Sequence, residues 1–198
     1  MTKSMTGIIL AGGESSRMGE EKFFIPFSGK PLIEYTIDKL SGIFKSLIIV
    51  TKEPHLYQKY GIRAYVDIMK GRGPLGGIHA GLFYSDTAYN FVCACDMPFL
   101  NTGLIGFMAL MIEGYDVVIP KKNGRFEPLC AVYSKACVEP IKNSLLIGNL
   151  KMTDFLKDVK VRTVGDEEIA AFDRIGHSFA NINTPENLRR YEYERTEA

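Results

Sequence analysis

The chain has 198 residues, 46% of them hydrophobic and 24% charged, which is ordinary for a soluble domain and suits one globular domain with a sizeable core. Its formal net charge of +1 provides no overall field for nucleic acid or a membrane surface, so local basic residues must do any phosphate binding. No apolar run is long enough for a transmembrane helix, and the first residues lack the apolar segment of a signal peptide, so we expect a cytoplasmic protein.

Apolar runs alternate with helical patterns along the chain. In chain order the patterns predict a strand at 8–10, a helix at 31–40 with Pro31 in its first turn, a strand at 47–50, a short helix at 54–60, a strand at 64–66, a helix at 74–85, a strand at 91–94, a helix at 103–112, strands at 117–119 and 128–133, short helices at 137–143 and 152–157, strands at 161–164 and 179–182, and a helix at 185–193. The strand at 128–133 is expected to be antiparallel, because only a short loop precedes it. This alternation predicts a three-layer α/β domain around a mostly parallel sheet, with the strand at 91–94 at its centre.

The loop after the first strand is the first candidate site. Gly12 and Gly13 allow a ligand to approach the backbone closely, and successive N–H groups there can form a nest for an anion. Arg17 and Lys22 add positive charge suited to a polyphosphate. The loop has neither the Walker A nor the GxGxxG pattern. An ordinary strand-to-helix loop with solvated charges is the alternative.

Two aspartates follow later strands, where ligands bind in open α/β sheets. Asp96 follows the strand at 91–94 and is suited to hold Mg²⁺, which prefers carboxylate and phosphate oxygens; the alternative is a turn or helix-capping residue. Asp67 follows the strand at 64–66 and is suited to accept hydrogen bonds from N–H or O–H donors of a ligand. A plain turn aspartate is the alternative there as well.

Other polar residues are weaker candidates. Asn181 and Asn183 point to the same side if their segment is extended, but they also suit turns that lead into the last helix. His79 is interpreted as a packing or surface residue. The spacing of the four cysteines, Cys93, Cys95, Cys130 and Cys137, argues against a zinc site and favours free buried thiols.

Four motifs, taken together and in order, are similar to those of molybdenum cofactor guanylyltransferases. They are Leu-Ala-Gly-Gly-x-x-x-Arg-Met-Gly-x-x-Lys at 10–22, Gly-Pro-Leu-Gly-Gly-Ile at 73–78, Cys-Asp-Met-Pro-Phe at 95–99 and Asn-Ile-Asn-Thr-Pro-Glu at 181–186. The resemblance implies a Rossmann-like nucleotidyltransferase domain over 1–198. It implies transfer of GMP from GTP to the phosphate of a molybdopterin-type cofactor, with release of pyrophosphate and formation of a guanine dinucleotide.

The same resemblance implies roles for particular residues. It implies catalytic roles for Arg17, Lys22 and Asp96, with Mg²⁺ on Asp96 and with Asn181 and Asn183 near the metal and the acceptor. It implies GTP contacts at Leu10, Ala11, Gly12, Gly13, Lys22, Asp67 and Asp96. Asp67 would accept hydrogen bonds from the guanine N1–H and N2–H pair or from the ribose hydroxyls. The chain departs from the family pattern in two places. Glu21 precedes Lys22 where an aspartate is common, and the region after the second strand, Val50-Thr51-Lys52, lacks the asparagine that many relatives use there.

Three functions remain open at this point. The first is guanylyl transfer, with GTP and the pterin cofactor as substrates, no nucleic acid or membrane partner, and room for transient contact with proteins that supply or receive the cofactor. The second is a cytidylyltransferase of the same pterin or of another phosphorylated metabolite. The third is a non-catalytic GTP-binding module, against which the presence of Arg17, Lys22 and Asp96 argues.

Overall fold

The fold is built on a mixed, mostly parallel β-sheet with helices on both faces, seen in a computed structural model that describes residues 2–12, 26–27, 29–182 and 187. The strands are β1 (Thr6–Ala11), β2 (Pro26–Phe27), β3 (Lys30–Pro31), β4 (Ser46–Thr51), β5 (Arg63–Tyr65), β6 (Tyr89–Ala94), β7 (Val117–Lys122), β8 (Arg125–Phe126), β9 (Cys130–Ser134) and β10 (Val161–Val164). The α-helices are α1 (Leu32–Ser41), α2 (Gly73–Tyr84), α3 (Thr102–Leu110), α4 (Val138–Leu146) and α5 (Asp166–Ala170). The 3₁₀ segments are Thr2–Ser4, Pro54–Tyr60, Lys135–Cys137, Asp154–Asp158 and His177–Phe179.

The main sheet has the strand order β10-β7-β9-β6-β1-β4-β5, with β8 paired to β7. β1 runs parallel to β4 and β6, β4 to β5, and β7 to β10, whereas β9 runs antiparallel between β6 and β7. The predicted α/β class, the central strand at 91–94 and the antiparallel strand at 128–133 are therefore confirmed. Because β9 runs in reverse, its first residues lie at the edge where the parallel strands end.

Alternate residues of the central strands face two separate apolar cores, as the period of a β-strand requires. Ile9 and Ile49 pack on one face with residues of α1 and α3, while Ile8 and Ile48 pack on the other with residues of α2 and α4. Strands covered on both faces read as continuous apolar runs, which is why the sequence pattern identified them. In the described part of the chain, none of the helices has the length and apolar character needed to cross a membrane.

The four cysteines are free thiols, and each is buried. Cys93 and Cys95 belong to the same apolar core, so they face the same side of the sheet. Burial raises the pKa of Cys137 to about 12, so this thiol stays protonated at neutral pH.

Most predicted elements are present, with small shifts at their ends. The helix predicted at 31–40 begins at Leu32, because Pro31 pairs with Pro26 in β3. The helices predicted at 54–60 and 152–157 are 3₁₀ segments, and neither β8 nor α5 was predicted. The helix predicted at 185–193 lies outside the described residues apart from Asn187, which is helical.

The strand predicted at 179–182 is wrong. The carboxylate of Asp173 accepts backbone N–H groups of Gly176, His177 and Ser178 at 2.8, 3.1 and 2.7 Å, which winds this part of the chain into a turn. A 3₁₀ segment over His177–Phe179 follows. The apolar side chains at 179 and 182 led to the strand prediction. The hydrogen bonds that Asp173 accepts from the backbone determine the conformation instead.

His79 lies on α2 where that helix packs against α4, and the residue is only 3% exposed. Within the described residues, neither ring nitrogen has a hydrogen-bond partner. Burial lowers the pKa of His79; on α4, Glu139 acts in the opposite direction and Lys142 in the same direction. The prediction that His79 is a packing residue is confirmed, and the folded protein holds its ring neutral.

Stability should therefore fall in mild acid. The unfolded chain binds a proton at His79 more tightly, so the free energy of unfolding decreases as pH falls below about 6.5 and levels off below the lowered pKa of the folded state. One proton limits the slope to about 1.4 kcal/mol per pH unit. Denaturant unfolding of the wild type and of His79→Leu between about pH 5 and 8 measures this. If His79→Leu kept the full dependence of the free energy of unfolding on pH, His79 would be excluded as its cause. His55→Leu, at an exposed position, is the matched control.

Candidate active site

The strand register brings four candidate positions into one row at the carboxyl edge of the sheet. Across β6, β1, β4 and β5, the residues paired in one line are Ala94, Leu10, Val50 and Tyr65. Two residues beyond each of them, in the same order, come Asp96, Gly12, Lys52 and Asp67. A hydrogen bond of 3.1 Å from Cys95 N–H to the Leu10 carbonyl oxygen holds β6 and β1 together up to this edge. The edge is the place where open α/β sheets bind ligands.

A cavity of about 310 Å³ opens over the β1, β4 and β5 part of this edge. Its lining includes Leu10, Gly12, Val50, Thr51, Lys52, Asp67, Gly77 and Leu150. The volume lies near the lower end of roughly 300–1,000 Å³ for small-molecule sites, which suits part of a ligand of nucleotide size.

Close packing of α2 on β1 forms one wall of the cavity. A Cβ atom on Gly81 would lie 2.5 Å from Cγ2 of Ile8, so only glycine allows the helix to approach the strand this closely. At Gly77 a Cβ atom would lie 3.4 Å from the Leu10 methyl groups and 3.8 Å from Oδ1 of Asp67. Gly77 thus lies beside Leu10 and Asp67, and its lack of a side chain leaves the space between them open.

Asp67 presents a half-buried carboxylate to this cavity. Among the described residues, no hydrogen bond or ion pair reaches it, and burial raises its pKa although the nearby charge of Lys52 acts in the opposite direction. A desolvated carboxylate without a hydrogen-bond donor is costly to maintain. The cost is recovered if a ligand supplies the missing N–H or O–H donors.

Asp96 lies at the centre of the edge and is partly buried. Its backbone carbonyl oxygen accepts a hydrogen bond of 3.0 Å from Ile182 N–H. Ile182 packs against Leu32 of α1, which fixes this segment and brings Asn181, an exposed residue, beside Asp96. The structure thus groups Asp96 with Asn181.

Several predicted site residues lie outside the described part of the chain: Gly13, Arg17, Lys22 and Asn183. The described site brings together Leu10, Gly12, Asp67, Asp96 and Asn181. Ala11 is buried in the strand, 4% exposed, so it supports the loop rather than lining the cavity with its side chain.

Two residues of the cavity were missed by the sequence analysis. Lys52 follows a predicted strand just as Asp67 and Asp96 do, so the strand-end rule could have identified it. Leu150 comes from the loop after α4 and carried no sequence signal, because only the folded chain brings that loop over the start of α2.

The sequence and the fold were compared with those of known proteins. Residues 7–164 match the model of the MobA-like NTP transferase domain. A probable molybdenum cofactor guanylyltransferase of Pelotomaculum thermopropionicum is 39% identical over 92% of this chain and 89% of its own length. The chain belongs to the molybdenum cofactor guanylyltransferase family. A molybdenum cofactor guanylyltransferase of Desulfosudis oleivorans is also 39% identical, over 96% of this chain and 95% of its own.

A solved structure agrees with the family assignment. The molybdopterin-guanine dinucleotide biosynthesis protein A from Archaeoglobus fulgidus superposes with a TM-score of 0.84 at 31% identity, covering 98% of this chain and 100% of that chain. The match to the family model runs from β1 to the end of β10, so it includes Asp67 and Asp96 but not the segment that carries Asn181.

Proposed function

We propose that the protein transfers GMP from GTP to the phosphate of a molybdopterin-type molybdenum cofactor, in the cytoplasm where GTP is available. The observation that carries the proposal is the half-buried carboxylate of Asp67 in the cavity beside α2, which no side chain or backbone group of the described residues pairs. Guanine offers N1–H and N2–H side by side, and a carboxylate accepts both. Cytosine and adenine do not offer this pair, so the same observation disfavours the cytidylyltransferase alternative.

The order of groups along the edge suits an in-line displacement. With the base beside Asp67, the triphosphate extends along the edge toward Asp96 and the glycine loop after β1. An oxygen of the acceptor phosphate attacks the α-phosphorus, the bond from that phosphorus to the bridging oxygen breaks, and pyrophosphate leaves with the electron pair. The acceptor phosphate is already anionic, so no strong general base is required, and positioning with charge stabilisation supplies the catalysis.

The chemistry at Asp96 fits a magnesium ion. Mg²⁺ usually keeps several waters and is held by one or two carboxylates together with substrate phosphates, so a single carboxylate at the edge is enough protein ligation. Bound there, the ion would neutralise charge on the phosphate oxygens. Asp96 would hold it, and Asn181, with Asn183 from the sequence motif, would lie near it and the acceptor.

The experiment that tests the proposal is a panel of GTP, CTP, ATP and UTP with the molybdenum-loaded pterin, scored for pyrophosphate release. Release that requires both GTP and the pterin supports guanylyl transfer. Release with CTP instead would favour the cytidylyltransferase alternative. Binding of GTP without release, with the loaded pterin present, would favour the non-catalytic module.

Lys22 is proposed to contact the triphosphate on the strength of the sequence motif. Lys22→Ala should then weaken binding of GTP more than binding of GMP, because GMP lacks the β- and γ-phosphates that a point charge would hold. Calorimetric titration of both nucleotides against both proteins measures the difference. Equal losses would place Lys22 away from the β- and γ-phosphates, and Lys45→Ala, exposed at the start of β4, is the matched control.

A further inference from the structure

A second half-buried carboxylate, Glu127, lies at the same edge on the other side of Asp96. It follows β8 and precedes β9, and its backbone N–H donates to the Pro120 carbonyl oxygen at 2.9 Å. The nucleotide cavity lies over β1, β4 and β5, so the β9 and β7 side of the edge remains for the second substrate.

The strand register relates Glu127 to Asp96. In the antiparallel pair of β6 and β9 the last matched residues at this edge are Cys93 and Cys130. Asp96 lies three residues beyond Cys93, and Glu127 lies three residues before Cys130. The two strands therefore stop pairing at the same point, and both carboxylates lie at the same edge of the sheet. Asp96 acts electrostatically on Cys93 and Glu127 on Cys130, which agrees with this placement.

Glu127, like Asp67, has a half-buried carboxylate that no described residue pairs. Among the described residues, no hydrogen bond or ion pair reaches its carboxylate, although burial raises its pKa and the charge of Lys122 acts in the opposite direction. Asp173, which also lies near Cys130, differs because its carboxylate is engaged by three backbone N–H groups. Of these two carboxylates, Glu127 is the one that no described residue engages, so its two oxygens can accept hydrogen bonds from a ligand.

Lys122 holds the neighbouring loop in place. Its Nζ lies 5.6 Å from the centre of the Phe179 ring and 3.4 Å from the Ile175 carbonyl oxygen. The side chain passes so close to Gly176 that a Cβ atom there would overlap it. This contact connects the end of β7 to the segment that leads to Asn181.

We propose that Glu127 recognises the ring of the acceptor substrate by accepting two hydrogen bonds from its 2-amino-4-oxo edge. The inference rests on the proposed function. A pterin presents N3–H and a 2-amino group side by side, which is the donor pair that guanine presents with N1–H and N2–H. The reaction joins two such rings, and the edge holds two half-buried carboxylates of matching chemistry, one on each side of Asp96, that have no partner among residues 2–12, 26–27, 29–182 and 187.

The test compares Glu127→Ala and Glu127→Gln with the wild type. Loss of a charge-assisted hydrogen-bonded pair should raise KM for the acceptor by about 10- to 100-fold while KM for GTP changes little. The amide of Glu127→Gln keeps the shape but only one acceptor atom, so an intermediate effect is expected. Glu113→Ala, an exposed glutamate before β7, is the matched control.

A binding measurement separates this inference from the proposed function. With a non-hydrolysable GTP analogue filling the nucleotide cavity, fluorescence titration compares 6-hydroxymethylpterin with 6-hydroxymethyllumazine, in which oxygen replaces the 2-amino group. The wild type should prefer the pterin, and Glu127→Ala should lose that preference. A preference that survives in Glu127→Ala, or an unchanged KM for the acceptor, would overturn the inference. Failure of the wild type to transfer GMP would instead overturn the proposed function.

Discussion

Asp96→Asn should lower turnover by about 10²–10³-fold without unfolding the protein, because one group that stabilises developing phosphate charge contributes roughly 3–4 kcal/mol to lowering the barrier. Asp96 lies at the central position of the edge, and its backbone is fixed by the bond from Ile182. Asparagine keeps the size of the side chain but removes the charge that a metal ion needs. Pyrophosphate release measured across a magnesium titration tests this.

The control for Asp96→Asn is Asp158→Asn, an exposed aspartate at the end of a 3₁₀ segment. Circular dichroism of both variants checks the fold. If Asp96→Asn turned over close to the wild-type rate at every magnesium concentration, the proposed metal role of Asp96 would be lost.

The positions of Gly12, Asp67 and Asp96 at the carboxyl edge of the sheet could be predicted from the sequence, because they follow from the order of strands along the chain. Gly12, Asp67 and Asp96 each come directly after an apolar run, and parallel strands bring such positions to one edge. The register then added Lys52 by the same rule. For these residues, the local sequence and the predicted parallel sheet were sufficient to predict their position at the edge.

Glu127, on the proposed acceptor side of the edge, and Leu150, in the cavity, are positioned by contacts between distant elements, which no local sequence pattern indicates. The antiparallel direction of β9 was predicted, but its position between β6 and β7, which brings Glu127 to the edge beside Asp96, was not. Leu150 reaches the cavity only because a distant loop folds over α2. The strand predicted at 179–182 failed for the same reason, since Asp173 determines that segment through hydrogen bonds. Residues placed by the packing of separate elements could not be identified before the fold was known.

The protein should use GTP in strong preference to CTP and ATP, by about 10⁴-fold or more in kcat/KM. A site built to pair buried polar groups rejects a base that leaves them unpaired, and discrimination of about 10⁴ is attainable in this way. Asp67 provides such a group, and the backbone of Leu10 to Gly12 offers further donors and acceptors. The resemblance to the family implies an asparagine near Thr51 that this chain lacks, and Thr51 lines the same cavity, so the preference is expected to be weaker than the family pattern implies. Initial rates with each nucleotide and the same acceptor pterin give the ratio.

Asp67→Asn identifies which part of the nucleoside the carboxylate holds. An amide offers one acceptor and places a donor against the guanine donors, so kcat/KM for GTP should fall by about 10- to 100-fold. ITP lacks the 2-amino group, and dGTP lacks the 2′-hydroxyl. If Asp67 accepts from the base, the wild type discriminates against ITP and Asp67→Asn no longer does. If it accepts from the ribose, dGTP shows that pattern instead.

If CTP matched or exceeded GTP with the wild type, the guanylyl assignment would be wrong and the cytidylyltransferase alternative would replace it.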